Sequence, residues 1–270
     1  MTFSIVGRSA DGQTWGVAVA SKFLAVGNAV PAAAAEVGAL ATQADAHVGF
    51  KPRGLELLRA GASARETLDR LLDDDPKAAH RQVGVVDAAG GSATHTGDEC
   101  FDWAGGIAAP GVAIQGNILS GPEVVEAMKA AWDASPDAAL AHRLLGALAA
   151  GDAAGGDRRG RQSAALLVVR SGAGYGGNDD LVADLRVDDH PDPVADLGRL
   201  LDLNDFYLTA SEEHEKVALT PVLAAEIAGH VARAGHPDLA AWVGTENYEM
   251  RVADDGSWID RRVLEILRAV

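Results

Sequence analysis

The sequence predicts an α+β protein in which two antiparallel sheets carry helices on their outer faces, followed by a smaller, mainly helical module. Three observations lead there. Runs rich in Val, Ile and aromatics come in pairs joined by short turn-marked loops, the pattern of hairpins rather than of βαβ units. The elements follow the order strands, two helices, strands, two helices, strands. From Asp192 the texture becomes helical, which divides the chain into residues 1–195 and a linker helix plus module at 196–270.

The first hairpin pairs Thr2–Val6 with Trp15–Ala20 across an Asp11-Gly12 turn. It is expected at the sheet–sheet interface, with Phe3, Ile5, Val17 and Val19 in or beside the core; alternation sets Phe3 and Ile5 on one face and Ser4 and Val6 on the other. Lys22–Ala35 reads as a Gly/Ala-rich connector, and Gly38–Gln43 as a third strand. Apolar residues at helical spacing then mark Pro52–Ala60 and Ser63–Leu72, the second opened by a Ser63/Glu66 capping box and closed by the acidic run ending at Pro76. Gln82–Asp87 and Ser92–Thr96 form the second hairpin, and Gly111–Gln115 is a sixth strand. Helices follow at Pro122–Trp132 and Pro136–Ala149, then strands at Ser163–Val169 and Leu181–Val187. Pro193–Leu208 is the helix that leaves the core. Beyond it, helices are expected at Pro221–Ala234, Pro237–Trp242 and Asp260–Leu267.

Composition narrows the function. With 270 residues, 48% hydrophobic, the chain has enough material for a large domain and a small one. Its net charge of −16 opposes phosphate backbones and anionic lipid surfaces, so neither nucleic acid nor membrane is expected as a partner. No cationic segment followed by an apolar stretch opens the chain and no long uncharged apolar run occurs, so a cytoplasmic location is expected. A single cysteine, Cys100, excludes an internal disulfide, and the eight histidines show no metal-ligand spacing. No metal and no cofactor are expected.

The chemistry suggested by the residues begins at Thr2. A small residue after Met1 favours removal of the initiator, which would leave a threonine hydroxyl and a free α-amine on one residue at the head of a strand. An α-amine titrates near ~8 and can act as the base for its own hydroxyl, the layout of an N-terminal-nucleophile (Ntn) hydrolase. Gln115-Gly116-Asn117 ends the sixth strand before a helix, where backbone N–H groups and the Asn117 amide suit an oxyanion hole. Arg158, Arg159 and Arg161 crowd a short loop in an acidic chain. Their guanidinium groups suit either internal carboxylates (Asp157, Asp188 or Asp189) or an anionic substrate group, with Arg158 the favoured ligand contact.

Taken in order, the strings TFSIVGRSADGQTWGVAVASKFLAVG, VGALATQA, GLELLRAGASARETLDRLL, HRQVGVVDA, GVAIQGNILSGPEVVEAM, AGGDRRGRQSAALLVVR and DLRVDDHPDPVADL resemble the domain-of-unknown-function 1028 family, bacterial Ntn-hydrolase-like proteins. The resemblance covers about residues 2–200. It implies a four-layer αββα sandwich, with Thr2 at the superfamily's nucleophile position. The opening hairpin also resembles proteasome β subunits, in which an Asp and a Lys support the threonine; here Ser21 and Lys22 stand at the second strand's end. The tail AWVGTENYEMRVADDGSWIDRRVLEILR is similar to a peptidoglycan-binding-like module that some of these proteins carry. The expected function is an Ntn amidohydrolase acting on a small, anionic amide, with a non-catalytic binding or scaffold protein, or a peptidoglycan-associated protein, as the alternatives. Thr2, Gly116 and Asn117 would be catalytic, and Ser21, Lys22, Gln43, Gln115, Arg158 and Arg161 would bind substrate. A homo-oligomer with a small-molecule substrate is expected.

Overall fold

The computed structural model of the chain describes residues 2–73 and 75–270. The expected loss of Met1, and Asp74 in the acidic run, lie outside them. The protein is a mixed α/β chain that divides into two compact units, one ending at Leu201 and the other spanning Asp202–Val270.

In the first unit, β1 (Thr2–Arg8) and β2 (Thr14–Ser21) form the expected hairpin. Next come a short helix α1 (Val26–Ala29), β3 (Pro31–Ala34), β4 (Gly38–Ala44), α2 (Phe50–Arg59) and α3 (Ala64–Asp73). Then follow β5 (Arg81–Asp87), β6 (Ser92–Thr96), β7 (Gly105–Ala109), β8 (Val112–Asn117), α4 (Glu123–Ala134) and α5 (Leu140–Ala153). The unit ends with β9 (Ser163–Arg170), β10 (Leu181–Val187) and most of α6 (Pro193–Leu208). One sheet has the order β10-β9-β2-β1-β8-β7 and the other β3-β4-β5-β6. All their pairings are antiparallel.

Two of these strands, β3 and β7, correct the sequence reading. β3 lies within the stretch read as a connector, and β7 was not anticipated. Both are edge strands of four or five residues made almost wholly of Ala and Gly. They lack the β-branched and aromatic residues that mark a strand locally, and pairing with a longer neighbour makes them strands. The helix α2 starts at Phe50, two residues ahead of Pro52, because proline is tolerated within a helix's first turn. The start of α3 carries the Ser63/Glu66 capping box, and Asp87 Oδ2 accepts from Ala64 N at 2.8 Å.

Alternation along the strands separates three apolar clusters. Phe3, Ile5, Ile114 and Leu166 pack with Met128 and Trp132 of α4, Leu144 and Leu148 of α5, and Leu197 of α6. Gly7 makes this close approach possible, since a Cβ there would lie 2.7 Å from the Trp132 ring. Val6, Val17, Val19 and Ala113 of the six-stranded sheet share a second cluster with Ala39, Ala41 and Val86 of the four-stranded one. The outer face of that smaller sheet places Leu40, Val83 and Val85 against Phe50, Leu58, Leu68 and Leu71 of α2 and α3. The expectation for the first hairpin is thus half corrected: Val17 and Val19 lie between the sheets, whereas Phe3 and Ile5 face the helices.

The second unit has its own core, built from the end of α6, α7 (Pro221–Arg233), α8 (Leu239–Glu246) and α9 (Arg261–Arg268). A three-residue ladder pairs β11 (Lys216–Ala218) with β12 (Trp258–Asp260), both too short to register in the sequence pattern. Arg251 is buried and fully used: Nε donates to Phe206 O at 2.7 Å, and Nη1 to Asp260 Oδ2 and Glu215 Oε2 at 3.0 and 3.1 Å. The other Asp260 oxygen caps α9 at Arg262 N. No helix of the described residues is long and apolar enough to cross a membrane.

Candidate functional site

Position 2 heads β1 with its side chain on the face turned to the second sheet, the same face as Ser4 and Val6. The residue is 6% exposed, and its Oγ1 lies 3.1 Å from Ser21 Oγ on the neighbouring strand. Asn117 stands opposite Thr2 on β8, and Ser163 opposite Ser21 on β9, so one cross-sheet row reads Ser163, Ser21, Thr2, Asn117. The next row carries Ser4 opposite Gln115. From the facing sheet, Gln43 of β4 and Gln82 of β5 are paired in register, and Gln82 also opposes Thr96 of β6.

These side chains form one hydrogen-bonded network in which Ser4, Gln43, Gln82, Gln115 and Asn117 are each at most 2% exposed. Gln43 Nε2 donates to Thr2 O at 3.2 Å and to Gln82 Oε1 at 2.8 Å. Asn117 Nδ2 donates to the same Gln82 oxygen at 2.9 Å and to Thr2 O at 3.5 Å. Ser4 Oγ donates to Gln43 Oε1 and accepts from Gln115 Nε2, at 2.7 and 2.6 Å. Buried amides cost free energy unless paired, and here each finds a partner. Gly84 on β5 leaves room for the Gln115 carboxamide, which a Cβ would approach to 2.1 Å. All the partners of Thr2 named here are neutral.

Some anticipated site residues do not meet Thr2. Gln115 sits one row behind it, fully buried against Ser4 and Thr94. Gly116 is inside β8 between β1 and β7, and α4 begins at Glu123, so the start of that helix does not extend its amides to the end of β8. Lys22 is exposed; its backbone N donates to Asp157 Oδ2 at 2.7 Å and its Nζ to Arg161 O at 3.3 Å. Gln82 was not anticipated. Its signal was a glutamine beside the apolar run of a strand, as at Gln43 and Gln115.

The arginine loop follows the sequence reading at Asp157 and departs from it at Arg161. Arg159 pairs with the buried Asp157 at 3.2 Å, whereas Arg161 reaches Asp152, not Asp188 or Asp189, at 2.8 Å. That hydrogen bond and the Asp152 charge hold the Arg161 guanidinium above its usual pKa. Arg158 is exposed and has no ion pair among the described residues. Asp152, Asp157, Gly160 and Arg161 line a cleft of about 360 Å³. A second, of about 530 Å³, is lined by Asp45, His47, Asp75, Lys77 and Arg81 on the loops that extend β4 and precede β5. There the Arg81 guanidinium, 2.7 Å from Asp75, holds that carboxyl below the usual aspartate range. Among the described residues no three His, Cys, Asp or Glu side chains converge as a metal-holding group.

The model of a family of unknown function (DUF1028) matches residues 2–197, which is most of the chain. The chain belongs to this family. Following the DUF1028 region, residues 209–267 match the peptidoglycan-binding-2 domain model. A DUF1028 protein from Silicibacter pomeroyi of known crystal structure is similar at 30% sequence identity with a TM-score of 0.68, over 76% of this chain and 89% of that one. Anbu (ancestral beta-subunit) from Yersinia bercovieri aligns over 78% of this chain and 99% of that one, at 14% identity and a TM-score of 0.31, too distant to carry an argument. No curated protein matches the chain.

Proposed function

We propose that this chain is an N-terminal-nucleophile amidohydrolase of αββα architecture, acting on a small amide with Thr2 as nucleophile once Met1 is removed. The layering is supported by the three apolar clusters, which alternate with the two sheets and their helices. The observation that carries the chemistry is the setting of Thr2. It stands at the head of a central strand, with its hydroxyl against Ser21 and only neutral groups among its named partners. In this reading the base is the residue's own α-amine, which titrates near ~8. Thr2 Oγ attacks the amide carbonyl, and the α-amine takes the hydroxyl proton and delivers it to the leaving nitrogen as the C–N bond breaks. Water then cleaves the ester formed on Thr2. The Asn117 amide is the oxyanion donor, giving up its long 3.5 Å contact with the Thr2 carbonyl to do so, and Ser21 orients the hydroxyl. The exposed Arg158 is the contact for an anionic substrate group.

Intact mass of the purified chain tests the premise, and a β-lactone tests the nucleophile. Attack by Thr2 Oγ opens the lactone ring, forms an ester, and leaves the hydroxyl proton on the freed ring oxygen, so the adduct adds the whole lactone mass. The expected result is a chain starting at Thr2, acylated there, with no adduct in Thr2→Ala. Retained Met1 on most molecules would overturn the proposal. It would favour a non-catalytic binding protein, a reading supported by the internal pairing of the amides.

A further inference from the structure

Gln82 lies at the centre of the buried network, and backbone carbonyls determine its orientation. Gly116 O and Gly105 O can only accept, and Gln82 Nε2 faces them at 2.7 and 3.3 Å, with Thr96 Oγ1 at 2.9 Å. Its Oε1 must therefore point the other way, where it meets Gln43 Nε2 and Asn117 Nδ2. A carbonyl oxygen accepts only from hydrogen-bearing atoms, so both of those amides must present their NH2 groups to it. Each is left with one further hydrogen: that of Gln43 lies between the backbone carbonyls of Thr2 and Gln115, at 3.2 and 3.3 Å, and that of Asn117 reaches the Thr2 carbonyl only at 3.5 Å. Backbone carbonyls already hold Gln43 this way round, but for Asn117 the short contact is the one to Gln82, a side chain on the opposite sheet that is itself 0% exposed.

We infer that Gln82 is a positioning residue: its Oε1 anchors one hydrogen of Asn117 and so keeps the NH2 of that amide, not its oxygen, turned toward the head of β1. This rests on the amidohydrolase reading above, in which Asn117 stabilises the oxyanion. Gln82 itself does not touch the reacting atoms. Its contribution is to keep the Asn117 amide from turning its oxygen toward the developing negative charge, the reverse of what an oxyanion hole needs. The geometry also specifies what can replace it. Glutamate at this position, buried and therefore held protonated, keeps a carbonyl that accepts and an O–H that donates to Gly116 O. Methionine keeps the length and offers neither.

The test is the rate of β-lactone acylation at Thr2 per folded molecule, followed by intact mass, with folding checked by thermal melts. Gln82→Met is expected to slow acylation by about 10- to 100-fold, the scale of a misaimed catalytic group. Gln82→Glu is expected to keep most of the parental rate. Because Gln82 acts through Asn117, the double variant Gln82→Met/Asn117→Ala should be no slower than Asn117→Ala alone. A folded Gln82→Met that reacts at the parental rate overturns the inference, as does a double variant slowed by the product of the two single effects. If Gln82→Met does not fold, Gln82→Glu decides: folded and reactive supports the assignment, folded and inert removes it. A parent chain that is never acylated at Thr2 overturns the amidohydrolase reading and this inference with it, whereas the other outcomes bear on Gln82 alone.

Discussion

The two faces of β1 are made from alternate residues of one seven-residue strand and are built on opposite principles. Phe3 and Ile5 face the helices in a dry cluster that also holds Trp132, Leu144 and Leu166. Thr2 and Ser4 face the second sheet, surrounded by the amides of Gln43, Gln82, Gln115 and Asn117. Both faces are almost sealed from water. On the first, burial stabilises in proportion to apolar area and tolerates some repacking. On the second, each group depends on a specific partner, so orientation is defined but any loss strands a neighbour. The strand therefore holds a rigid, chemically capable residue at its head by anchoring the opposite side in a large apolar core.

Substitutions on the two faces should separate these principles. The largest effect is expected at Phe3→Ala, which opens a cavity against Met128 and should cost about 3–5 kcal/mol in denaturant unfolding. A cost below about 1 kcal/mol would mean that the helix face is not the main anchor.

On the other face, Ser4→Ala removes only one oxygen yet leaves the Gln115 amide and the Gln43 carbonyl short of a partner. The expected cost is about 1–3 kcal/mol. Loss of about a few tenths of a kcal/mol would show water entering the layer and would break the contrast.

Asp75 extends the comparison to the outer face of the smaller sheet, where its ion pair with Arg81 is nearly buried. Its folded pKa is lowered, chiefly by the Arg81 hydrogen bond, so the stability it contributes is present above the ordinary aspartate pKa. That contribution is lost as pH falls through the lowered folded value. The stability gap between the parent and Asp75→Asn should therefore be widest at neutral pH and narrow on acidification, measured by denaturant midpoints. A gap independent of pH would remove the carboxylate from the account.

The smallest effect is expected at Arg161→Ala. The pair with Asp152 is half exposed on the arginine side, so the change should cost no more than about 1 kcal/mol. A loss of about 3–5 kcal/mol would mean that the pair is sealed in solution.

Much of the first unit could be read from short-range pattern. The period of two in TFSIV assigned Phe3 and Ile5 to one face and Ser4 to the other. The Ser63/Glu66 box marked the start of α3, and α6 runs from Pro193 to Leu208 as its periodicity and proline punctuation indicated. These features depend on residues within a few positions of one another, where backbone sterics and capping act. The matching family model likewise rests on strings that could be recognised in the chain.

Alternation says that two faces exist but not what each will meet, and that was decided by the tertiary structure. It turned Phe3 and Ile5 toward helices more than a hundred residues downstream, and made β3 and β7 strands through neighbours rather than through their own composition. It chose Asp152 for Arg161 and Asp157 for Arg159, although both arginines lie in one short loop. Above all, it brought Gln82 against Asn117 of the other sheet, beside Thr2, a contact between residues 35 positions apart along the chain. A glutamine's chemistry can be read locally, but its direction is set by the carbonyls it meets, and those arrive only when the two sheets pack.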